Sequence, residues 1–321
     1  LKHIGIETQK AHNMRTVQIV FLILPHTHLL DLAGPDQVFL EARDYGAPLD
    51  VRYCSFTDDL HTSQHLPFGV LRPYHDLNLQ RGDYLIIPGA EMKYLTSKAF
   101  RAQKPLFRWV REQYAKGVNI CSVCTGAFFL GEVGLLAGKR CTTHWKRVRE
   151  LQERFLSAEV QENILFTEDD GIFTSAGVAS GIDLALHIVG KLTNDYTSFQ
   201  VAREIVVYTR RSAHQAQQSV FMAYRNHIHA GVHAVQDWLQ HNLHQKSTLE
   251  ELAEIACMSS RSLTRIFKQE TGVTVNEYIT LLRKERIEKL LKNPNISKAE
   301  IAQQCGLRSE RHVARLIARE K

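Results

Sequence analysis

Reactive chemistry in this chain concentrates at one thiol and on two basic helix faces. In "NICSVCTGAFFLGEVGLL", residues 119–136, an apolar run from Asn119 to Val123 breaks at Cys124-Thr125-Gly126, and a small-residue helical pattern follows at once. A thiol at a strand-to-helix turn sits where α/β enzymes place a nucleophile. Cys121-Ser-Val-Cys124 also spells C-x-x-C. A zinc site would want a second ligand pair at motif spacing, and none lies nearby in the sequence. A redox pair would want both sulfurs in one helical turn, whereas Cys121 falls on the strand side of the break. The expectation is no metal and no cofactor. Six cysteines scattered over 321 residues point to reduced thiols and a cytoplasmic location.

The second chemistry is that of a polyanion reader. In "SRSLTRIFKQETG", Leu263, Ile266 and Phe267 recur at helical spacing toward a core, which leaves Arg261, Thr264, Arg265 and Lys268 outward. Guanidinium and hydroxyl groups gathered on one helix face suit the base edges and phosphates of duplex DNA. The pattern repeats in "SERHVARLIARE", with Val313, Leu316 and Ile317 inward and Arg311, Arg315 and Arg319 outward; Glu310 is placed to accept from a cytosine. Leu263/Val313, Arg265/Arg315, Phe267/Ile317 and Glu270/Glu320 share one offset of 50 residues, which marks an internal duplication. Ser247-x-x-Glu250 and Ser297-x-x-Glu300 read as capping boxes opening the helix before each outward-facing one. A helix over 276–292 serves as a rigid spacer between the two units.

Charge follows the same division. The net charge is +6, and from Arg225 onward there are 16 Lys and Arg against 11 Asp and Glu. Nearly all of the basic excess therefore sits in the last third, as a nucleic-acid-binding module requires.

The elements that position these groups differ between the two regions. Apolar runs at 17–24, 50–56, 84–88, 119–123 and 171–175 read as buried strands, and 35–45, 99–116 and 125–136 as helices. Such alternation implies a mainly parallel sheet with helices on both faces and a site beyond the carboxyl ends of the strands. Beyond Val232 the period is purely helical. Residues 1–14 are polar and unpatterned, an expected disordered extension; 15–207 form the α/β domain, 208–229 a polar linker, and 230–321 an all-α domain with two helix-turn-helix units. The longest apolar run, 17–24, contains Gln18 and stops at Pro25, so no membrane span is expected, and no signal peptide is legible.

The stretches "LDLAGPDQVF", "YLIIPGA", "SVCTGAFFLGEVGLLAGKRCTTHW" and "FTSAGVASGIDLALHIV" resemble, in order and spacing, the PfpI/isocyanide-hydratase branch of the class I glutamine-amidotransferase-like superfamily over residues 15–207. That resemblance implies a flavodoxin-like fold with a nucleophile elbow at Cys124. The turn requires small residues at Gly126 and Ala127, and the new helix's N-terminus would lower the thiol pKa. It further implies an anion- or carbonyl-binding hole built from amides around Thr125 and Ala90, Asp31 as the carboxyl group facing the thiol, and His144 as a further polar group nearby. Cys124, Thr125, Asp31 and Ala90 are accordingly the expected ligand-binding residues. Peptidase-like members carry a His directly after the Cys, where this chain has Thr125, and a second Gly after "PG", where it has Ala90. Cys124, Asp31 and His144 are therefore vestigial catalytic residues in this reading, and no turnover is expected.

Residues 230–321 resemble the AraC/XylS-type DNA-binding domain, closely in the first unit and less so in the second. The chain stops at Lys321, before that family's closing Gly…Pro…aromatic segment. Together the two regions look like the GlxA-type regulators. The implied protein is a sequence-specific transcription regulator that binds a double-stranded operator and a small-molecule effector, as a homodimer. The alternative is a cysteine-dependent hydrolase or hydratase with a helical accessory tail.

Overall fold

The computed structural model describes residues 15–177, 179–207, 219–291, 293 and 296–318. The expected extension at 1–14, linker residues 208–218, and Arg319 and Glu320 lie outside them. Contacts divide the chain into two compact units, with the break after Gln217.

In the first unit, strands β1 (Val17–Leu22), β2 (Leu49–Ser55), β3 (Arg72–Pro73), β4 (Tyr84–Ile87), β5 (Asn119–Val123), β6 (Arg140–Cys141), β7 (Glu159–Val160), β8 (Phe166–Asp169) and β9 (Ile172–Ser175) follow one another along the chain. Seven form one sheet in the order β3-β2-β1-β4-β5-β9-β8, parallel throughout except for the β8/β9 hairpin. The sheet is the expected one, with an antiparallel edge added. The turn joining that hairpin, Asp170-Gly171, has both residues at positive φ, the two-residue geometry that matches strand twist. Sequence reading placed β9 but passed over β8, although Asp170-Gly171 is a hairpin-turn dipeptide.

Helices α1 (Leu29–Asp44), α2 (Met92–Leu95), α3 (Lys98–Arg101), α4 (Lys104–Ala115), α5 (Gly126–Val133), α6 (Val148–Arg154), α7 (Ala179–Leu192) and α8 (Asp195–Glu204) complete this unit. Along β1, Ile19 and Phe21 join one apolar cluster while Val20 and Leu22 join another, so the two sheet faces are separate cores. Two expected helices differ. The first starts at Leu29, six residues before Pro35, because burying Leu32 outweighs the cost of an internal proline. The helix expected over 99–116 is two: Pro105 stands in the first turn of α4, where its ring would clash with a carbonyl of a continuous helix.

The second unit holds α9 (Val220–Ala223), α10 (Ala230–Asn242), α11 (Leu249–Ile255), α12 (Ser260–Thr271), α13 (Val275–Leu290), α14 (Lys298–Gln304) and α15 (Glu310–Ile317). The segment read as linker is in part structural. Val220, Phe221 and Tyr224 pack on the core formed by α10 to α13, because apolar residues spaced at one helical turn bury together. Helix α13 ties the two cores, with Tyr278 in the first and Ile287 in the second.

The capping boxes also need correction. The first is Thr248 with Glu251, one residue later than Ser247/Glu250; the second is Ser297 with Glu300 as expected. Burial of Leu252 and Ala253 sets the phase of α11. The duplication thus runs at an offset of 49 up to the turn, where Cys257 and Gly306 both take positive φ, and 50 from the N-caps Ser259 and Ser309 onward. The second turn is one residue longer. Ile317, expected inward, is exposed at the last residue of α15, where no described element covers it.

Candidate functional site

Cys124 directly follows strand β5 and adopts φ +57, the left-handed region that costs a non-glycine residue about 1–3 kcal/mol. Two glycines make that conformation fit. A Cβ at Gly126 would lie 2.4 Å from the Ile87 carbonyl oxygen, and one at Gly177 would lie 2.2 Å from Cys124 Cβ. Thr143 Oγ donates to the Cys124 carbonyl at 2.8 Å and fixes the turn from the other side.

Asp31 reaches this elbow from the first turn of α1. Its carboxylate lies over Gly89, where any Cβ would come within 2.4 Å of Oδ2. Asp31 and Cys124 are 1% and 5% exposed, and the thiol donates toward the carboxylate. Because β1, β4 and β5 are neighbours, the loops after β1 and β4 meet the elbow after β5. The sheet order brings Asp31, Gly89 and Cys124 together.

His28 completes the cluster. It is the N-cap residue of α1, and its Nδ1 lies 3.3 Å from Asp31 Oδ2. Sequence reading did not single it out, although an i, i+3 pair at a helix start places both side chains on one face. His144 stands at the start of a helical turn and accepts at Nδ1 from the Lys146 amide at 3.4 Å. Burial, then the Lys146 ammonium, holds its imidazole below the usual histidine range, while Asp31 opposes them.

Two expectations about this site are corrected. The thiol pKa is raised, not lowered. Burial penalises the charged form most, the Asp31 carboxylate adds to it, and the Thr125 amide opposes both without winning. The Ala90 amide forms no ligand-facing hole. It donates to Thr125 Oγ1 at 3.0 Å, the hydroxyl donates back to the Ala90 carbonyl at 2.7 Å, and Ala90 is fully buried. Ala90 is absent from the residues at positive φ, so it does not need glycine's freedom. Cys121 is buried inside β5 and takes no part in the elbow.

In the helical unit, Ser259 Oγ accepts from the Ser262 amide and starts α12. Leu263 and Phe267 are buried, while Arg261, Thr264, Arg265 and Lys268 are exposed on the opposite face. On α15, Val313 and Leu316 are buried and Glu310, Arg311 and Arg315 are exposed. Gly306, in the second turn, packs against the end of α10, where a Cβ would come 2.7 Å from the Leu243 carbonyl oxygen. That close approach seats the second helix-turn-helix against the end of α10.

Residues 17–191 match the DJ-1/PfpI family, and residues 252–321 match a helix-turn-helix domain. The chain is 29% identical over 208 residues to the HTH-type transcriptional regulator GbdR of Pseudomonas aeruginosa, a match covering 64% of this chain and 56% of that one. It is 30% identical over 251 residues to the HTH-type transcriptional regulator CdhR of Pseudomonas aeruginosa, covering 77% and 70%. The chain thus spans little more than half of one of these relatives and about two thirds of the other. A solved ThiJ/PfpI family protein from Pseudomonas syringae superposes with a TM-score of 0.54 at 21% identity, over 68% of this chain and 86% of that one, a likeness of fold.

Proposed function

The chain belongs to the DJ-1/PfpI family and carries a helix-turn-helix match after that domain, and we propose that it is a DNA-binding transcription regulator whose family domain binds a small-molecule effector. The observation that carries the reading is the pair of capped helix-turn-helix units, each with an uncovered face rich in arginine. Arg261, Thr264, Arg265 and Lys268 on α12, and Glu310, Arg311 and Arg315 on α15, are the groups that meet the operator. Two such helices on one body fit successive major grooves about 34 Å apart. The helix-turn-helix match and the names of the two relatives support this reading. Cys124, Asp31 and Thr125 line the effector site, and the protein works as a homodimer in the cytoplasm. None of the described helices is long and apolar enough to cross a membrane.

Selection of genomic fragments by the full-length protein, followed by affinity measurements at several salt concentrations, tests this. The expected result is enrichment of a defined sequence, with log affinity falling linearly against log salt. Salt-sensitive binding without sequence enrichment would remove the operator reading.

A cysteine-dependent hydrolase or hydratase is the competing reading, favoured by a carboxylate facing a thiol at an elbow. Two features weigh against it. The Ala90 amide is committed to Thr125 rather than aimed at a developing oxyanion, and burial together with the Asp31 carboxylate disfavours the thiolate. We therefore expect binding without turnover. Product formation from an amide or isocyanide that disappears in Cys124→Ala would place the protein among the enzymes.

A further inference from the structure

We propose that His28, Asp31 and Cys124 form a binding site for a zinc-class divalent cation, with three protein ligands and a fourth position open. It is the single group of three or more potential ligands found among the described residues, and one donor atom from each lies within 4.8 Å of the others. A tetrahedral zinc ion holds nitrogen, oxygen and sulfur ligands at about 2.0–2.3 Å, which puts them about 3.3–3.6 Å apart. The His28–Asp31 pair is already at 3.3 Å. Closing the sulfur from that 4.8 Å limit onto the pair needs a movement of at most about 1.2–1.5 Å.

The donor set selects the ion. Thiolate and imidazole exclude calcium and magnesium, which take oxygen ligands, and a mixed S, N, O set with one open position suits zinc. Rigid backbone holds the two buried ligands. Cys124 is fixed at the elbow by Gly126 and Gly177, and Asp31 is held by α1 over Gly89. The His28 side chain is 35% exposed and marks the side from which the ion enters.

A bound dication would face the Asp31 carboxylate and the Cys124 sulfur together and be attracted to both. On binding, the sulfur–hydrogen bond is exchanged for a metal–sulfur bond and the proton leaves to solvent. No motif spacing marks the set of three, because Cys124 comes from a segment distant in the chain from His28 and Asp31 and is joined to them only by the sheet. The inference deepens the effector role proposed above by naming the ligand class, but ion binding rests on these three donors alone and is read without DNA.

The test is a Co2+ titration of the full-length protein carrying Cys257→Ser, which removes an exposed thiol. The expected result is a near-ultraviolet thiolate-to-cobalt charge-transfer band that saturates at one ion per chain, with intense visible bands of a four-coordinate ion. Zn2+ should displace it. Cys124→Ser should abolish the charge-transfer band, and His28→Gln and Asp31→Asn should each weaken Co2+ binding at least tenfold. No charge-transfer band up to millimolar Co2+, or a band that survives Cys124→Ser, would overturn the site. Should Cys124→Ser fold poorly, His28→Gln decides, because His28 lies at the partly exposed start of α1; unchanged affinity there refutes the three-ligand site. Loss of DNA binding in a separate assay would bear on the regulator reading only.

Discussion

Ala90 and Thr125 share a reciprocal pair of hydrogen bonds: the Ala90 amide donates to Thr125 Oγ1 at 3.0 Å, and that hydroxyl donates to the Ala90 carbonyl at 2.7 Å. The pair ties the loop after β4 to the elbow after β5, and it uses up the amide that an oxyanion hole would need. Thr125→Val keeps the shape but leaves a buried donor and acceptor unsatisfied, at about 1–3 kcal/mol for each group. Thr125→Ser keeps the hydroxyl. Denaturant unfolding of the family domain should show the valine variant destabilised and the serine variant nearly intact. Equal stability of the two would mean that the pair contributes nothing.

Gly177 and Gly46 separate two reasons for a glycine. Both have positive φ, but a Cβ at Gly177 would collide with Cys124 whereas nothing lies within 4 Å of Gly46. Gly46→Ala should cost about 1 kcal/mol from backbone strain alone. Gly177→Ala should cost several times as much, because the elbow itself must move. Thermal melts of the two variants compare them directly, and a Gly177→Ala protein as stable as Gly46→Ala would show that the elbow yields freely.

The protonation state of Cys124 has a consequence with a definite sign. A thiol whose folded pKa lies above its unfolded value favours the folded protein at neutral pH, and that stability is lost as pH rises above the ordinary thiol value of about 8.5. Burial pushes Cys54 and Cys141 up to about 12, so they contribute in the same direction. Cys124→Ser should therefore flatten, without abolishing, the alkaline fall in stability. Asp31→Asn removes a negative charge from beside the thiol and should speed alkylation of Cys124 at fixed pH. An unchanged alkylation rate would mean that access, and not charge, limits the reaction.

On the helical unit, a bidentate arginine–guanine contact is worth about 1–3 kcal/mol of discrimination. Arg265→Ala should weaken specific binding about tenfold or more, and Arg261→Ala should reduce the salt slope by roughly one if Arg261 meets a phosphate. Operator affinity unchanged by Arg265→Ala at physiological salt would remove the α12 face from the interface.

Effects of Arg311→Ala and Arg315→Ala on the second unit should be smaller, since that unit resembles the AraC/XylS pattern less closely than the first. Footprinting distinguishes two engaged helices from one. Protection of two adjacent major grooves is expected, and protection of one groove alone would make α15 a scaffold.

Sequence by itself determined what is local. Alternating apolar runs placed five of the six parallel strands of the seven-stranded sheet and missed only the two-residue β3, too short to carry a side-chain period. Small residues after Cys124 marked the elbow, and the 50-residue offset marked the repeated helix faces. What depended on competition between local signals came out displaced: the first capping box by one residue, the start of α1 by six, the helix over 99–116 in two pieces. Tertiary structure alone decided the site's electrostatics. The cost of a charged thiol depends on how much water the surrounding fold removes and on which carboxylate the sheet order sets beside it. His28 joined the site for the same reason, carried to Cys124 by the adjacency of β1, β4 and β5 that no spacing in the chain records.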